Sequence, residues 1–177
     1  VLWRDRFPWP TSDGHKYSRG HAVVVGGGVA ATGAARLAAR AALRTGAGLV
    51  TVVSPPGALM FYASALEAVM VLAVTDDEAF AALISDPRKN AVLVGPGNGV
   101  TETTKARTLA ALSAGKACVL DADALQPEII AEAPKPERLA LTPHAGEFSR
   151  LSGESDACPR AYSGKIGCAT VLKGPFT

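Results

Sequence analysis

Seven short apolar runs recur along the chain: AVVVG (22–26), LVTVV (49–53), VMVLAV (69–74), AVLVG (91–95), ACVLD (117–121), RLALT (138–142) and ATVLK (169–173). Longer stretches, several rich in alanine, separate them, and this alternation of strand-length with helix-length segments is the pattern of βαβ units. The runs are apolar at nearly every position instead of every second one, as expected of parallel strands with helices on both faces. The expected fold is therefore a three-layer α/β/α, doubly wound, mostly parallel sheet. Helices are expected over Thr32–Thr45 and Thr101–Ala114, the latter opened by Thr101 and carrying Lys105 and Arg107 on its polar side. Pro55-Pro56-Gly57 interrupts the uncharged stretch Thr45–Leu66, which reads as strand, turn and helix and not as a membrane span.

Composition narrows the function classes. With 177 residues, 48% of them apolar and 19% charged, the chain has enough apolar side chains for one globular core. Eighteen basic against sixteen acidic residues leave a net charge of +2, without the concentrated basic charge of a nucleic-acid binder. Cys118, Cys158 and Cys168 form neither a CxxC pair nor an even set, which favours a reducing, cytoplasmic setting. Residues 1–20, with Trp3, Phe7 and Trp9, read as a lead-in that docks through its aromatics, ahead of a domain over 21–177. The start has no signal-peptide pattern, and Val1 in place of methionine suggests processing or an excised fragment.

Ligands of doubly wound sheets bind beyond the carboxyl ends of the strands, so those ends carry the chemistry. The first strand runs into Gly26-Gly27-Gly28-Val29-Ala30-Ala31-Thr32-Gly33, which matches the GxGxxA form of the dinucleotide fingerprint. The second ends at Ser54-Pro55-Pro56, without the acidic residue that an ordinary dehydrogenase uses to hold the ribose. What remains is a glycine loop able to hold an anion or admit a planar ligand, or else a tight turn. Gly95-Pro96-Gly97-Asn98-Gly99 presents almost no side chain, suiting a ligand surface or a turn equally. Asp121 and Asp123 share one side of an extended segment, where they can hold Mg²⁺ through water or bind hydroxyls, unless one of them, Asp123 before Asp121, caps the next helix. In Leu141–Phe148, His144 is expected to face a ligand, and in the capping alternative Thr142 starts the turn with Glu147 in the first helical turn. Lys173-Gly174-Pro175-Phe176-Thr177 offers a cation, backbone and a hydroxyl to a phosphate chain, or is a solvated strand end.

Six segments in order, HKYSRGHAVVVGGG (15–28), TGAARLAARAALRTGAGLVTV (32–52), VGPGNG (94–99), VLDADAL (119–125), LTPHAGEF (141–148) and VLKGPFT (171–177), resemble the ADP- or ATP-dependent NAD(P)H-hydrate dehydratases, lyases of ribokinase-like fold. The resemblance implies that hydrated NADH or NADPH is returned to the normal cofactor, with ADP or ATP and Mg²⁺ phosphorylating the ring hydroxyl before phosphate leaves. It places the hydrated dinucleotide against Gly33, Ala34, Gly97, Gly99, Asp121 and His144, and the adenine nucleotide against Lys173, Gly174, Pro175, Phe176 and Thr177. It also implies a glycine-rich motif ending in an aspartate that serves as base. Residues 1–177 contain no such motif, so this aspartate is expected beyond Thr177. The lead-in LWRDRFPWP looks like the connection to a fused NAD(P)H-hydrate epimerase domain, and homotetramers are common among such proteins. Asn98 replaces a usual aliphatic residue, and Glu154–Cys168 is shorter and less helix-like than the family pattern. A small-alcohol kinase acting on a vitamin precursor, and a nucleotide-binding module without catalysis, draw on the same residues.

Overall fold

A computed structural model describes residues 5, 7, 9, 11–134 and 136–175. All seven expected strands form: β1 His21–Val25, β2 Leu49–Ser54, β3 Met70–Ala73, β4 Ala91–Val94, β5 Ala117–Leu120, β6 Leu139–Leu141 and β7 Ala169–Thr170. The connections carry α1 Gly33–Thr45, α2 Leu59–Ala63, α3 Asp77–Ser85, α4 Glu102–Ser113, α5 Pro127–Ala131, α6 Ala145–Ser152 and α7 Pro159–Ile166. Every strand pair is parallel, in the order β3-β2-β1-β4-β5-β6-β7. The chain winds outward from β1 to β3, then returns to β4 on the other side of β1. The boundary between β1 and β4 is thus the topological switch point of the sheet.

Local chemistry sets the helix ends. Thr101 caps α4 by accepting from the Thr104 amide at 3.2 Å, and Asp76 caps α3 by accepting from the Ala79 amide at 2.8 Å. Residues 154–168 prove more helical than expected, because Pro159 sits in the first turn of α7 and Gly167, at φ 72°, ends it in the left-handed conformation. Arg107 also departs from expectation: it is 8% exposed, turned from the solvent side of α4 into a cavity wall.

Two unequal cores flank the sheet. Val23, Val25, Val53, Val92, Val94, Cys118, Leu120, Leu139 and Leu141 face one side, beneath Phe80, Ile84, Leu112 and Ile129. Val24, Val50 and Val52 face the other, beneath Ala35, Ala39 and Tyr62. Burying each large aliphatic side chain contributes about 1.5–3 kcal/mol.

Helices pack on both faces as expected, but the second layer is shorter than the sheet is wide. Strand register places Val71, Val52, Val24, Leu93, Val119, Ala140 and Ala169 in one row across the sheet. Helices α1 and α2 seal Val52 and Val24, at 0% and 3% exposure, yet Val119 is 37% exposed. Among the described residues, nothing covers this face over β5 to β7 as α1 covers it over β1 and β2. No described helix is long and apolar enough to cross a membrane. Trp3 lies outside the described residues; the rings of Phe7 and Trp9 stand 4.7 Å apart, with Trp9 largely exposed.

Candidate functional site

The switch point is built by glycine packing. A side chain on Gly27 would lie 2.2 Å from the Gly97 carbonyl oxygen, and one on Gly97 would lie 2.7 Å from Ala31 Cβ. The loops after β1 and β4 therefore touch backbone to backbone. Tyr62, fully buried, donates from its hydroxyl to the Gly27 carbonyl at 3.0 Å, and burial raises its pKa. Asn98 latches the two loops: its Nδ2 donates to the Val25 carbonyl at 3.1 Å and its Oδ1 accepts from the Gly95 amide at 2.7 Å. This residue, at odds with the family pattern, thus has a structural role that an aliphatic side chain lacks.

The series continues to β5. Gly95, at φ 128°, lies so close to the next loop that a Cβ would sit 1.6 Å from the Asp121 carbonyl oxygen. Asp123 caps no helix; its Oδ2 accepts from the Gly99 amide at 2.8 Å and braces the β4 loop. Between the aspartates, Ala122 has φ 48°, the single positive value for a non-glycine among the described residues. The two carboxylates serve different partners, because Asp121 Oδ1 receives Lys173 Nζ at 2.5 Å. No group of three or more His, Cys, Asp or Glu side chains converges on a metal position among the described residues. Each carboxylate is held by a partner of its own, Asp121 by Lys173 and Asp123 by the Gly99 amide.

Beyond β6, His144 and not Thr142 is the helix cap. Its Nδ1 accepts from the amides of Gly146 and Glu147 at 3.0 and 3.2 Å, while Glu147 Oε2 accepts from the His144 amide at 2.8 Å. An Nδ1 that accepts cannot carry the proton of a neutral ring, so Nε2 bears it. That N–H points out of a side chain 59% exposed, with Glu147 Oε1 3.4 Å away. Thr142 instead donates to the Leu120 carbonyl at 3.2 Å. The Lys173 amide donates to Pro143 at 2.8 Å, which sets His144 beside Lys173.

The candidate residues thus fall into a linked series and an outlying pair. Gly97, Gly99, Asp121, His144 and Lys173 line one edge of the sheet. Gly33 and Ala34 are exposed in the first turn of α1, just after the Ala31 that packs on Gly97, with open space around Gly33. Gly174 and Pro175 are exposed beyond Lys173, and Phe176 and Thr177 lie outside the described residues. A cavity of about 480 Å³ opens at the switch point, bounded by Gly26–Gly28, Gly97, Asn98, Asp77, Thr104 and Arg107. Another of about 630 Å³ lies beyond the Asp123 brace, against Val100, Gln126, Glu147 and Arg150. Sequence reasoning missed Arg107 and the brace made by Asp123; the adjacency of Asp123 to a helix start had pointed to a cap.

Residues 22–177 match the family described as NAD(P)H-hydrate dehydratase. The chain belongs to that family. Relatives include the bifunctional NAD(P)H-hydrate repair enzyme of Coxiella burnetii, 38% identical across 86% of this chain and 31% of that protein. The ADP-dependent (S)-NAD(P)H-hydrate dehydratase of Xanthomonas campestris is 32% identical across 94% of this chain and 63% of its own length. The chain therefore spans about a third of the first and under two thirds of the second. Among solved structures, a ribokinase-like superfamily protein from Enterococcus faecalis superposes with a TM-score of 0.80 at 24% identity, covering 94% of this chain and 61% of that one. The ADP/ATP-dependent NAD(P)H-hydrate dehydratase of Bacillus subtilis, co-crystallized with ATP and Mg²⁺, gives 0.77 at 24% identity, covering 97% and 66%. Both superpositions agree with the parallel sheet described above, and this chain has the ribokinase-like fold.

Proposed function

We propose that this chain holds hydrated NADH or NADPH and an adenine nucleotide side by side, as the binding part of an ADP-dependent NAD(P)H-hydrate dehydratase. One observation carries the reading: glycine loops, His144, Asp121 and Lys173 form a continuous series along the carboxyl edge of the sheet. The glycine surface at Gly97 and Gly99, with Gly33 and Ala34 beside it, admits a flat ring without side-chain interference. His144 offers the ring a neutral Nε2–H donor. Asp121 accepts from a ligand hydroxyl, and Lys173 offers its ammonium to phosphate oxygens. The backbone of Gly174 and Pro175 lines the nucleotide in this reading, and Phe176 and Thr177 are assigned to it by the resemblance alone.

Hydroxide is a poor leaving group and phosphate a good one, so transfer of a phosphoryl group to the ring hydroxyl opens the dehydration path. In this reading Mg²⁺ is held on the nucleotide phosphates, as its preference for phosphate oxygens and water allows. Asp121 pairs with Lys173, and Asp123 braces the Gly99 amide. The resemblance gives the role of base to the aspartate of a glycine-rich motif, and residues 1–177 contain no such motif. The reading also includes a cytoplasmic setting, homotetramers and an epimerase domain as partner, the last supported by relatives named bifunctional.

Incubating the 177-residue chain with NADH hydrate, ADP and Mg²⁺ tests this reading. The expected result is calorimetric binding of both ligands without recovery of reduced-nicotinamide absorbance. Robust turnover by this chain overturns the need for that aspartate, absence of dinucleotide binding overturns the site, and a stable phosphorylated product identifies a kinase.

A further inference from the structure

The cavity at the switch point contains a charged group that the proposed chemistry leaves unused. Arg107 is 8% exposed, with its guanidinium 5.6 Å from the Phe80 ring centre and its Nε donating to Asp77 Oδ1 at 3.0 Å. Its two terminal nitrogens take no partner among the described residues, and the residue lines the cavity. The terminal nitrogens are not among the buried polar atoms without a partner, so they meet solvent in the cavity, where a ligand would replace water. The unmatched edge is a planar fork of N–H groups, the geometry that suits two oxygens of a phosphate.

The surrounding wall agrees with an anion. Thr101, Thr103 and Thr104 bring the first turn of α4, a helix of 12 residues, to the cavity, with the positive end of its dipole. Two carboxylates, Asp76 and Asp77, also line the cavity and stay charged, so an anion is held on the side of the Arg107 terminal nitrogens and the α4 start. Asp76 accepts from the Ala79 amide and the Thr75 hydroxyl, which hold its carboxyl below the usual range, and Asp77 fixes the Nε side of Arg107. A volume of about 480 Å³ accommodates a ligand fragment the size of a sugar phosphate. Gly26–Gly28 and Gly97 border both this cavity and the dinucleotide surface, so one bound molecule can reach into both.

We infer that this cavity is a phosphomonoester subsite, and that Arg107 is a specificity-determining residue which favours the phosphorylated dinucleotide over its unphosphorylated counterpart. The inference rests on the dinucleotide reading above. NADPH and NADH differ by one such group, so they serve as matched probes.

Calorimetry with NADPH, NADH and inorganic phosphate on wild type, Arg107→Met and Thr103→Asp tests it. Thr103 is exposed in the first turn of α4, where an added carboxylate is favourable to the helix but repels a phosphate in the cavity. Wild type is expected to bind NADPH more tightly than NADH. Both variants are expected to lose NADPH affinity by about 10- to 100-fold, with NADH changing less than about threefold. Inorganic phosphate binding that competes with NADPH but not with NADH also supports the subsite. Equal losses for the two dinucleotides, no loss in either variant, or equal wild-type affinities overturn it. Should Arg107→Met fail to fold, Thr103→Asp decides alone. Wild type binding neither dinucleotide overturns the underlying reading too, whereas unaltered binding of both by the variants overturns only the subsite.

Discussion

Lys173 reaches Asp121 across 52 positions of sequence, Nζ to Oδ1, with the Lys173 side chain 43% and the Asp121 side chain 27% exposed. Strand β6 lies between their strands, so the pair bridges over the loop that carries His144. A phosphate arriving at Lys173 must compete with Asp121, and the aspartate it releases becomes free to accept from a hydroxyl. The proposed nucleotide and dinucleotide positions are therefore coupled through one ion pair.

Lys173→Ala should weaken ADP binding by about 10-fold or more, the value of a charge-assisted hydrogen bond. The pair is partly exposed, so stability should fall by no more than about 1 kcal/mol. Calorimetry with ADP and with NADPH, beside urea denaturation, checks both statements. Equal losses for the two ligands refute the division of labour between Lys173 and His144.

His144 has two duties that one substitution cannot separate. His144→Ala removes the cap of α6 and should cost about 0.5–2 kcal/mol, together with dinucleotide affinity. His144→Asn keeps a capping acceptor but cannot place a donor where Nε2 stands. It should restore most of the stability while the affinity stays low. If His144→Asn binds dinucleotide as wild type does, the residue is only a cap.

Glycines of the same motif class should behave oppositely. Gly95→Ala puts a Cβ 1.6 Å from the Asp121 carbonyl oxygen at φ 128°, and should cost about 3 kcal/mol or more, or prevent folding. Gly33→Ala meets open space in the first turn of α1 and should be neutral or stabilising by up to about 1 kcal/mol. Thermal unfolding of both variants reads the contrast directly.

Much of this was legible in sequence, for identifiable reasons. The seven strands were visible because parallel strands concentrate valine and leucine in short runs, and Thr101 announced α4 because its hydroxyl replaces a backbone acceptor. Coverage of the sheet was not legible. Val119 and Val24 have the same neighbours in type, and only the path of α1 decides that one is sealed and the other partly open. Arg107 read as solvent-facing because a charged residue on an amphipathic helix usually is; Asp77 and Phe80, remote in sequence, draw it inward. His144 stood out as a ligand-facing group and proves to be a helix cap, since nothing local in sequence tells a capping histidine from one that faces a ligand.

Stability should also depend on pH through His21, at the opposite end of the sheet from the candidate site. His21 is 7% exposed, with Nε2 2.7 Å from the Thr51 hydroxyl, and its backbone amide donates to Asn90 Oδ1 at 2.9 Å. Burial is the main cause that lowers its pKa below the ordinary 6.5; the positive charges of Lys89 and Arg88 lower it further, and the negative charge of Asp86 opposes them. The folded state therefore binds a proton at His21 less readily than the unfolded chain does. Stability from this group is fully present above pH 6.5 and declines as pH falls through the unfolded value toward the lower folded one. Urea midpoints measured from neutral pH down to about 5 should decrease in wild type. A His21→Gln variant, which keeps a polar partner for Thr51 but does not titrate, should show a shallower decrease over the same interval. An identical slope in both proteins refutes a contribution from His21 and moves the acid sensitivity to the carboxylates, such as Asp76 and Asp86, whose hydrogen bonds hold them below their usual range.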